Sequence, residues 1–98
     1  MSLPIILRRL AQAEFDEAAD WYEQRRAGHG TVFTVAVRQT LAAIAADPIA
    51  NPEVYHDVRE KMVVGFPYVV FYQVTSTQIT VLAVFHTHRD PAVWQARV

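Results

Sequence analysis

Apolar residues follow two different periods along this chain, and the change between them marks its elements. From Phe66 to Val74 (FPYVVFYQV) and from Ile79 to His86 (ITVLAVFH) one face is apolar at every alternate position and the other at most positions. The polar loop Thr75 to Gln78 separates the two runs. Strand-length runs rich in Val, Tyr and Phe, with a short polar link, predict an antiparallel hairpin in the middle of a sheet rather than at its edge. Val58 to Val64 (VREKMVV) alternates, with Arg59, Lys61 and Val63 on one side and Val58, Glu60, Met62 and Val64 on the other. A turn at Gly65 and Phe66 returns the chain to the central strand. With two residues in that turn, Arg59 faces Tyr72 and Lys61 faces Val70, beside a Tyr-lined surface; a slip of one residue reverses the face.

Before these strands the period is helical. Pro4 to Arg9 (PIILRR) is a short β-branched run suited to a first strand at or near an edge. From Ala11, the residues Ala11, Phe15, Ala18 and Tyr22 recur at spacings of four, three and four, with acids between them. That pattern predicts an amphipathic helix with an acidic outer face, whose acids precede Arg25 and Arg26 in the order a helix dipole favours. Trp21 lies just off the apolar stripe and is expected to be partly covered at best. Gly28 and Gly30 end this helix, and Thr31 to Ala46 forms a second one with the stripe Phe33, Val37, Leu41 and Ile44. Val32, Val35 and several alanines leave that helix little polar surface, as in a helix covered on more than one side or awaiting a partner. Asp47-Pro48 stops it. Pro48 to His56 has no periodicity and reads as loop, and a short helix follows Asp90. The expected fold class is α+β: β-α-α-β-β-β, a small, mostly antiparallel sheet under an N-terminal helical hairpin.

Composition narrows this picture. The 98 residues suit one domain, spanning 1–98, with one modest core. Hydrophobic residues make up 52% and charged residues 19%, which excludes a disordered or collagen-like chain. With no cysteine, disulfides, thiolate metal sites and Cys nucleophiles are excluded. Apolar runs fall short of a membrane span, and Arg8 and Arg9 interrupt the place where a signal peptide would be apolar, so the expectation is a cytoplasmic protein with no membrane partner. A net charge of −1 confines any nucleic-acid role to a local patch.

The candidate patch is Arg59, Lys61, His86, His88 and Arg89, with Trp94 and Arg97 near it in sequence. If these converge, the cations hold phosphates and an aromatic ring stacks a base, the means by which single-stranded RNA is held and cleaved without a metal. The plainer reading makes Asp90 an N-cap, Pro91 the first helical residue and Trp94 a packing residue on the sheet. His86 and His88 share a strand face, and with His29 or His56 they admit a metal site only weakly. His86 as a hydrogen-bonded residue at a strand end is the simpler account. No cofactor and no metal are implied.

VREKMVVGFPYVVFYQV followed by ITVLAVFHTHRDPAVW resembles the carboxy-terminal half of the RelE/ParE superfamily of toxins from type II toxin-antitoxin (plasmid stabilisation) modules. The first strand, the helical hairpin and its AAIAADP stop resemble the rest of it. The resemblance implies a sheet of about four antiparallel strands carrying two helices, and a hetero-oligomer with a cognate antitoxin that wraps around the toxin. Covered residues are expected to include Trp21, Val32 or Val35. RelE-like members are ribosome-dependent endoribonucleases that cleave mRNA. On that branch Arg59 and Lys61 match the second-strand basic pair and Arg89 a late arginine, with His86 and His88 beside it. The third-strand arginine is missing, since Tyr68, Val69 and Val70 occupy the region, and Trp94 stands where a tyrosine is wanted. An indole has no proton useful near neutral pH. ParE-like members instead inhibit growth by binding DNA gyrase and need no catalytic residues, and the acid-leaning charge and broken catalytic set favour this branch. The alternative partners are the ribosome and mRNA.

Overall fold

The computed structural model describes residues 3–98. In chain order the elements are β1 (Ile5–Leu7), α1 (Arg9–Arg25), α2 (His29–Ala46), β2 (Glu53–Tyr55), β3 (Val58–Met62), β4 (Tyr68–Val74), β5 (Ile79–His86) and α3 (Ala92–Gln95). The strands form one sheet in the order β1-β5-β4-β3-β2. β1 runs parallel to β5 and the other neighbours are antiparallel, so the two runs read as central strands are the interior of the sheet. Arg59 pairs with Tyr72 and Lys61 with Val70, the register that a turn at Gly65 and Phe66 predicts. Gly65 supplies the left-handed residue there, with φ 86°.

Three sequence-based boundaries shift ahead of β3. The 48–56 stretch contains β2, a fifth strand in a region read as loop. At three residues and paired only with β3, it is too short to show an alternation, and His56, at φ 53°, turns the chain back immediately. α1 begins at Arg9, so its first turn carries no acid, although Arg25 does occupy its last turn. α2 begins at His29, which places Gly30 inside the second helix rather than in the turn. Gly28 makes that turn, in the left-handed region at φ 86°. A Cβ on Gly30 would lie 2.5 Å from the Ala19 carbonyl oxygen, so Gly30 sets how closely α1 and α2 approach. Glu23 of α1 ties the two together: its carboxylate accepts the Gly28 and Gly30 amides at 2.8 and 3.0 Å, serving the start of α2 from the neighbouring helix.

The hairpin buries Ala11, Phe15 and Ala18 of α1 and Phe33, Val37, Leu41 and Ile44 of α2 against Val70, Tyr72, Val81 and Val84. The opposite face of the sheet has its own smaller core, where Trp94 of α3 stacks on Phe71 with ring centroids 4.0 Å apart. Asp90 accepts the Ala92 amide at 2.9 Å just ahead of this short helix, whose N-cap position is Pro91 and whose first residue is Ala92, one residue later than the sequence predicts. A bulge lets β5 serve both cores. Phe71 pairs with Ala83 and Tyr72 with Val81, so Leu82 is the extra residue, and Leu82 and Ala83 both join the α3 side.

Candidate protein-binding cleft and basic rim

β1 covers β5 only from Ile79 to Val81. The Arg8 amide then donates to the Val81 carbonyl at 3.0 Å and the chain turns into α1, so among the described residues no strand lies beside the edge of β5 from Leu82 onward. Side chains meet that edge instead. Glu14 of α1 accepts the Val84 amide at 3.2 Å, and Arg97, just after α3, donates to the Leu82 carbonyl at 3.0 Å. The two also bond each other, Arg97 giving both terminal nitrogens to Glu14 at 2.9 Å, a two-pronged pairing in which each side chain is 12% exposed. Arg89 adds a third cationic contact to the same carboxylate at 2.7 Å, but its side chain remains 45% exposed, and its guanidinium lies over the Phe85 ring at 4.3 Å.

Beside this cluster lies an open cleft of about 740 Å³. One wall is the outer side of α1, where Leu10, Glu14, Glu17 and Trp21 follow one another; the other holds Tyr68, Val84 and His86. Leu10 and Trp21 are about half exposed, an unusual position for two large apolar side chains on one helix face. Arg25 stacks over the Trp21 ring at 4.5 Å. Burial pushes the Tyr68 phenol above its ordinary value of 10.0, with the nearby Tyr22 adding to the rise and Arg89 opposing it.

The other candidate cations stand at the far side of the sheet. Arg59 donates to the carbonyls of Ile49 and Asn51 at 3.2 and 2.6 Å and pairs with Glu53 at 3.2 Å. Tyr72 completes the arrangement: its hydroxyl donates to the Pro48 carbonyl at 2.7 Å and accepts from the Asn51 amide at 2.9 Å. Together they clamp the α2–β2 connection to the sheet. Lys61, one rung along opposite Val70, joins no ion pair among the described residues. The structure therefore splits the five proposed rim residues into two groups, Arg59 with Lys61 on β3 and His86, His88 and Arg89 at the end of β5, separated by β4.

The sequence profile described as "ParE toxin of type II toxin-antitoxin system, parDE" matches residues 5–91. The chain belongs to the ParE toxin family. Among solved structures it is similar to a chain described as "Chromosomal ParDE TA system from P. aeruginosa", with a TM-score of 0.66 and 18% identity, over 89% of this chain and 98% of that one. At that identity the likeness concerns the fold. A search of curated proteins finds no significant match. As a ParE-family member the protein is a type II toxin, whose module supplies a cognate antitoxin as partner.

The remaining predicted residues of this ParE-family chain fall into place around that framework. His86 is partly buried, its Nδ1 accepts the His88 amide at 3.1 Å, and its ring meets Tyr68 edge-on at 5.1 Å. His29 packs against Tyr22 and Phe66 at the other end of the same aromatic column, and His56 sits beside Tyr55 in the β2–β3 turn. No group of three metal-ligating side chains forms among the described residues. Trp94 is 3% exposed and presents no free ring face at the surface. Val32 and Val35 stand exposed on the outer side of α2, away from the cleft, whereas Trp21 is in it. Glu14 and Leu10 were not singled out by sequence. Glu14 looks like one more acid of a solvated helix face, and only the fold shows that its partners lie 70 to 83 residues away. No helix among the described residues is long and apolar enough to cross a membrane.

Proposed function

We propose that this ParE-family toxin acts in the cytoplasm as a protein ligand of DNA gyrase, held inactive in a complex with its antitoxin. The observation that supports it is the state of the cations. A metal-free ribonuclease needs guanidinium or ammonium groups free to meet a crowded phosphate. Here Arg59 is bound to two backbone carbonyls and Glu53 and Arg97 is bound to Glu14, while the two candidate cations that keep outward donors, Lys61 and Arg89, lie on opposite sides of β4 and do not converge. Tyr68, Val69 and Val70 occupy the region where the resemblance wants a ribonuclease's third-strand arginine, and Trp94 is packed inside. What the surface does offer is a cleft with exposed Leu10 and Trp21, suited to protein contacts.

Supercoiling of relaxed plasmid by purified gyrase, with increasing amounts of the purified chain, tests the target. Inhibition saturating near stoichiometric toxin is expected, and unchanged supercoiling at a large molar excess sinks the proposal. Primer extension on translated mRNA provides the opposing result. Codon-positioned cuts that disappear in Arg89→Ala would transfer the function to the ribonuclease branch.

A further inference from the structure

α2 carries two stripes, and the sheet uses only one of them. Phe33, Val37, Leu41 and Ile44 are buried beneath the helix. On its outer side Val32, Val35, Gln39, Ala42 and Ala46 follow at spacings of three, four, three and four, the seam of a helix that packs on another helix. All five are exposed, Val32 at 54% and Val35 at 48%. A solvent-facing helix side is ordinarily charged, as on α1 with its exposed Asp16, Glu17, Asp20 and Glu23. From His29 to Ala46 the one Asp, Glu, Lys or Arg is Arg38, and its guanidinium lies over the Phe15 ring of α1 at 6.0 Å. The Thr34 and Thr40 hydroxyls donate to the Gly30 and Ala36 carbonyls at 2.9 Å, inside the helix.

Side-chain size selects what fits this seam. Its first half is bulky, with Val32 and Val35, and its second half is small, with Ala42 and Ala46; Gln39 stands between them. A second α2 running antiparallel brings the valines of each helix over the alanines of the other, so the surfaces meet evenly. A parallel one sets valine on valine and alanine on alanine, which leaves a void at one end. Gln39 then lies beside the two-fold axis, where its amide both donates and accepts and so can bond its own copy. A neutral seam brings no like charges together, whereas an acidic peptide finds only Arg38 here. At the helical rise the seam is about 21 Å long, and a contact of that length buries on the order of 300–400 Å² per partner, against about 800 Å² for a permanent interface. Ile49, 68% exposed just beyond the helix, adds apolar area at the alanine end.

We infer that the outer face of α2 is a self-association surface, through which two copies of this chain pair antiparallel about a two-fold axis at Gln39. The pair is concentration-dependent, as its small area requires. It also leaves the cleft untouched: Ala19 and Glu23 meet the start of α2, while Leu10, Glu14, Glu17 and Trp21 line the cleft from the other side of α1. A dimer therefore presents two open clefts.

Sedimentation of the purified chain over a concentration series, with single-cysteine variants, tests the inference. The chain has no cysteine, so each variant reports one position. The expected result is a monomer–dimer equilibrium in the micromolar range that Val35→Asp weakens at least tenfold. Val35 is half exposed, so circular dichroism and the thermal midpoint of this variant should match the wild type. Under mild oxidation Gln39→Cys should cross-link to itself. Ala46→Cys should not, because the two copies of that position stand about 21 Å apart, yet it should cross-link when mixed with Val32→Cys. A wild-type chain that stays monomeric at several hundred micromolar overturns the inference, and so does a dimer indifferent to Val35→Asp. Self-linking of Ala46→Cys as fast as of Gln39→Cys overturns the antiparallel pairing. If the wild type is monomeric and Val35→Asp instead weakens binding of the antitoxin, the face belongs to that partner and not to a second copy.

Discussion

The two ends of the sheet use arginine in opposite ways. On β3, Arg59 is 21% exposed and spends its donors on the carbonyls of Ile49 and Asn51, so its charge fastens a loop to the protein's own body. Beyond β5, Arg89 is 45% exposed and stands at the mouth of a cleft, bonded through one nitrogen to a carboxylate that it shares with Arg97. One end is closed by backbone acceptors that cannot leave. The other is closed by side chains, which can swing aside at the cost of exchanging one charged partner for another. A cation's position on a strand therefore says little about its availability, and the neighbours that decide it come from remote parts of the chain.

The largest effect expected within this comparison comes from Glu14→Ala. It leaves Arg97, 12% exposed, without its acid, and releases the Val84 amide and the near contact of Arg89. Breaking one side of a largely buried ion pair costs about 3 kcal/mol, and the solvent-reachable Arg89 keeps the sum from rising far above that. Urea unfolding with an unchanged slope measures the loss. A change below about 0.5 kcal/mol would mean that the cluster is a surface ornament, with the worth of an exposed pair.

On the clamp side, Arg59→Gln is expected to cost about 1–2 kcal/mol, because two carbonyls lose a charged donor while a shorter neutral one remains nearby. Growth inhibition by this variant should match the wild type at temperatures where both are folded. Toxicity lost without a matching loss of stability would show that Arg59 touches a target and is more than a fastening, which breaks the contrast between the two ends.

Much of the fold was legible because it depends on local periods. The stripes Phe33–Val37–Leu41–Ile44 and Ala11–Phe15–Ala18 are buried as spaced, and the Gly65 turn places Arg59 opposite Tyr72. β2 was not legible, since three residues carry no period and its pairing is made by β3. Gly30 read as a turn residue because local rules treat glycine as punctuation, yet what requires it is the Ala19 carbonyl of another helix. The site suffered most. Glu14 belongs in sequence to an acidic helix face, and the pairings with Arg89 and Arg97 that give it meaning appear only when β5 and the segment after α3 are brought against α1.

The smallest effect is silent at neutral pH and separates the two ends by their tyrosines. Burial raises the Tyr72 phenol above 10.0, while the Asn51 bond and Arg59 pull it down; burial likewise raises Tyr68 and Tyr22 beside the cleft. With the folded value above the unfolded one, the folded state holds these protons longer. The stabilisation is therefore complete below the unfolded value of about 10 and is lost as pH rises through the folded values. Stability should stay level up to about pH 9 and decline above 10, followed by phenolate absorbance together with urea midpoints. Tyr72 is fully buried and its hydroxyl donates to Pro48, so ionising it must break the clamp, whereas Tyr68 and Tyr22 are only partly covered. Tyr72→Phe should accordingly flatten the alkaline decline more than Tyr68→Phe. Arg59→Gln, by removing a charge that favours the phenolate, should move the Tyr72 titration to still higher pH. An equal response from Tyr68→Phe would mean that the cleft end is as closed as the clamp, and that the contrast in how the two ends hold their arginines does not extend to their surroundings.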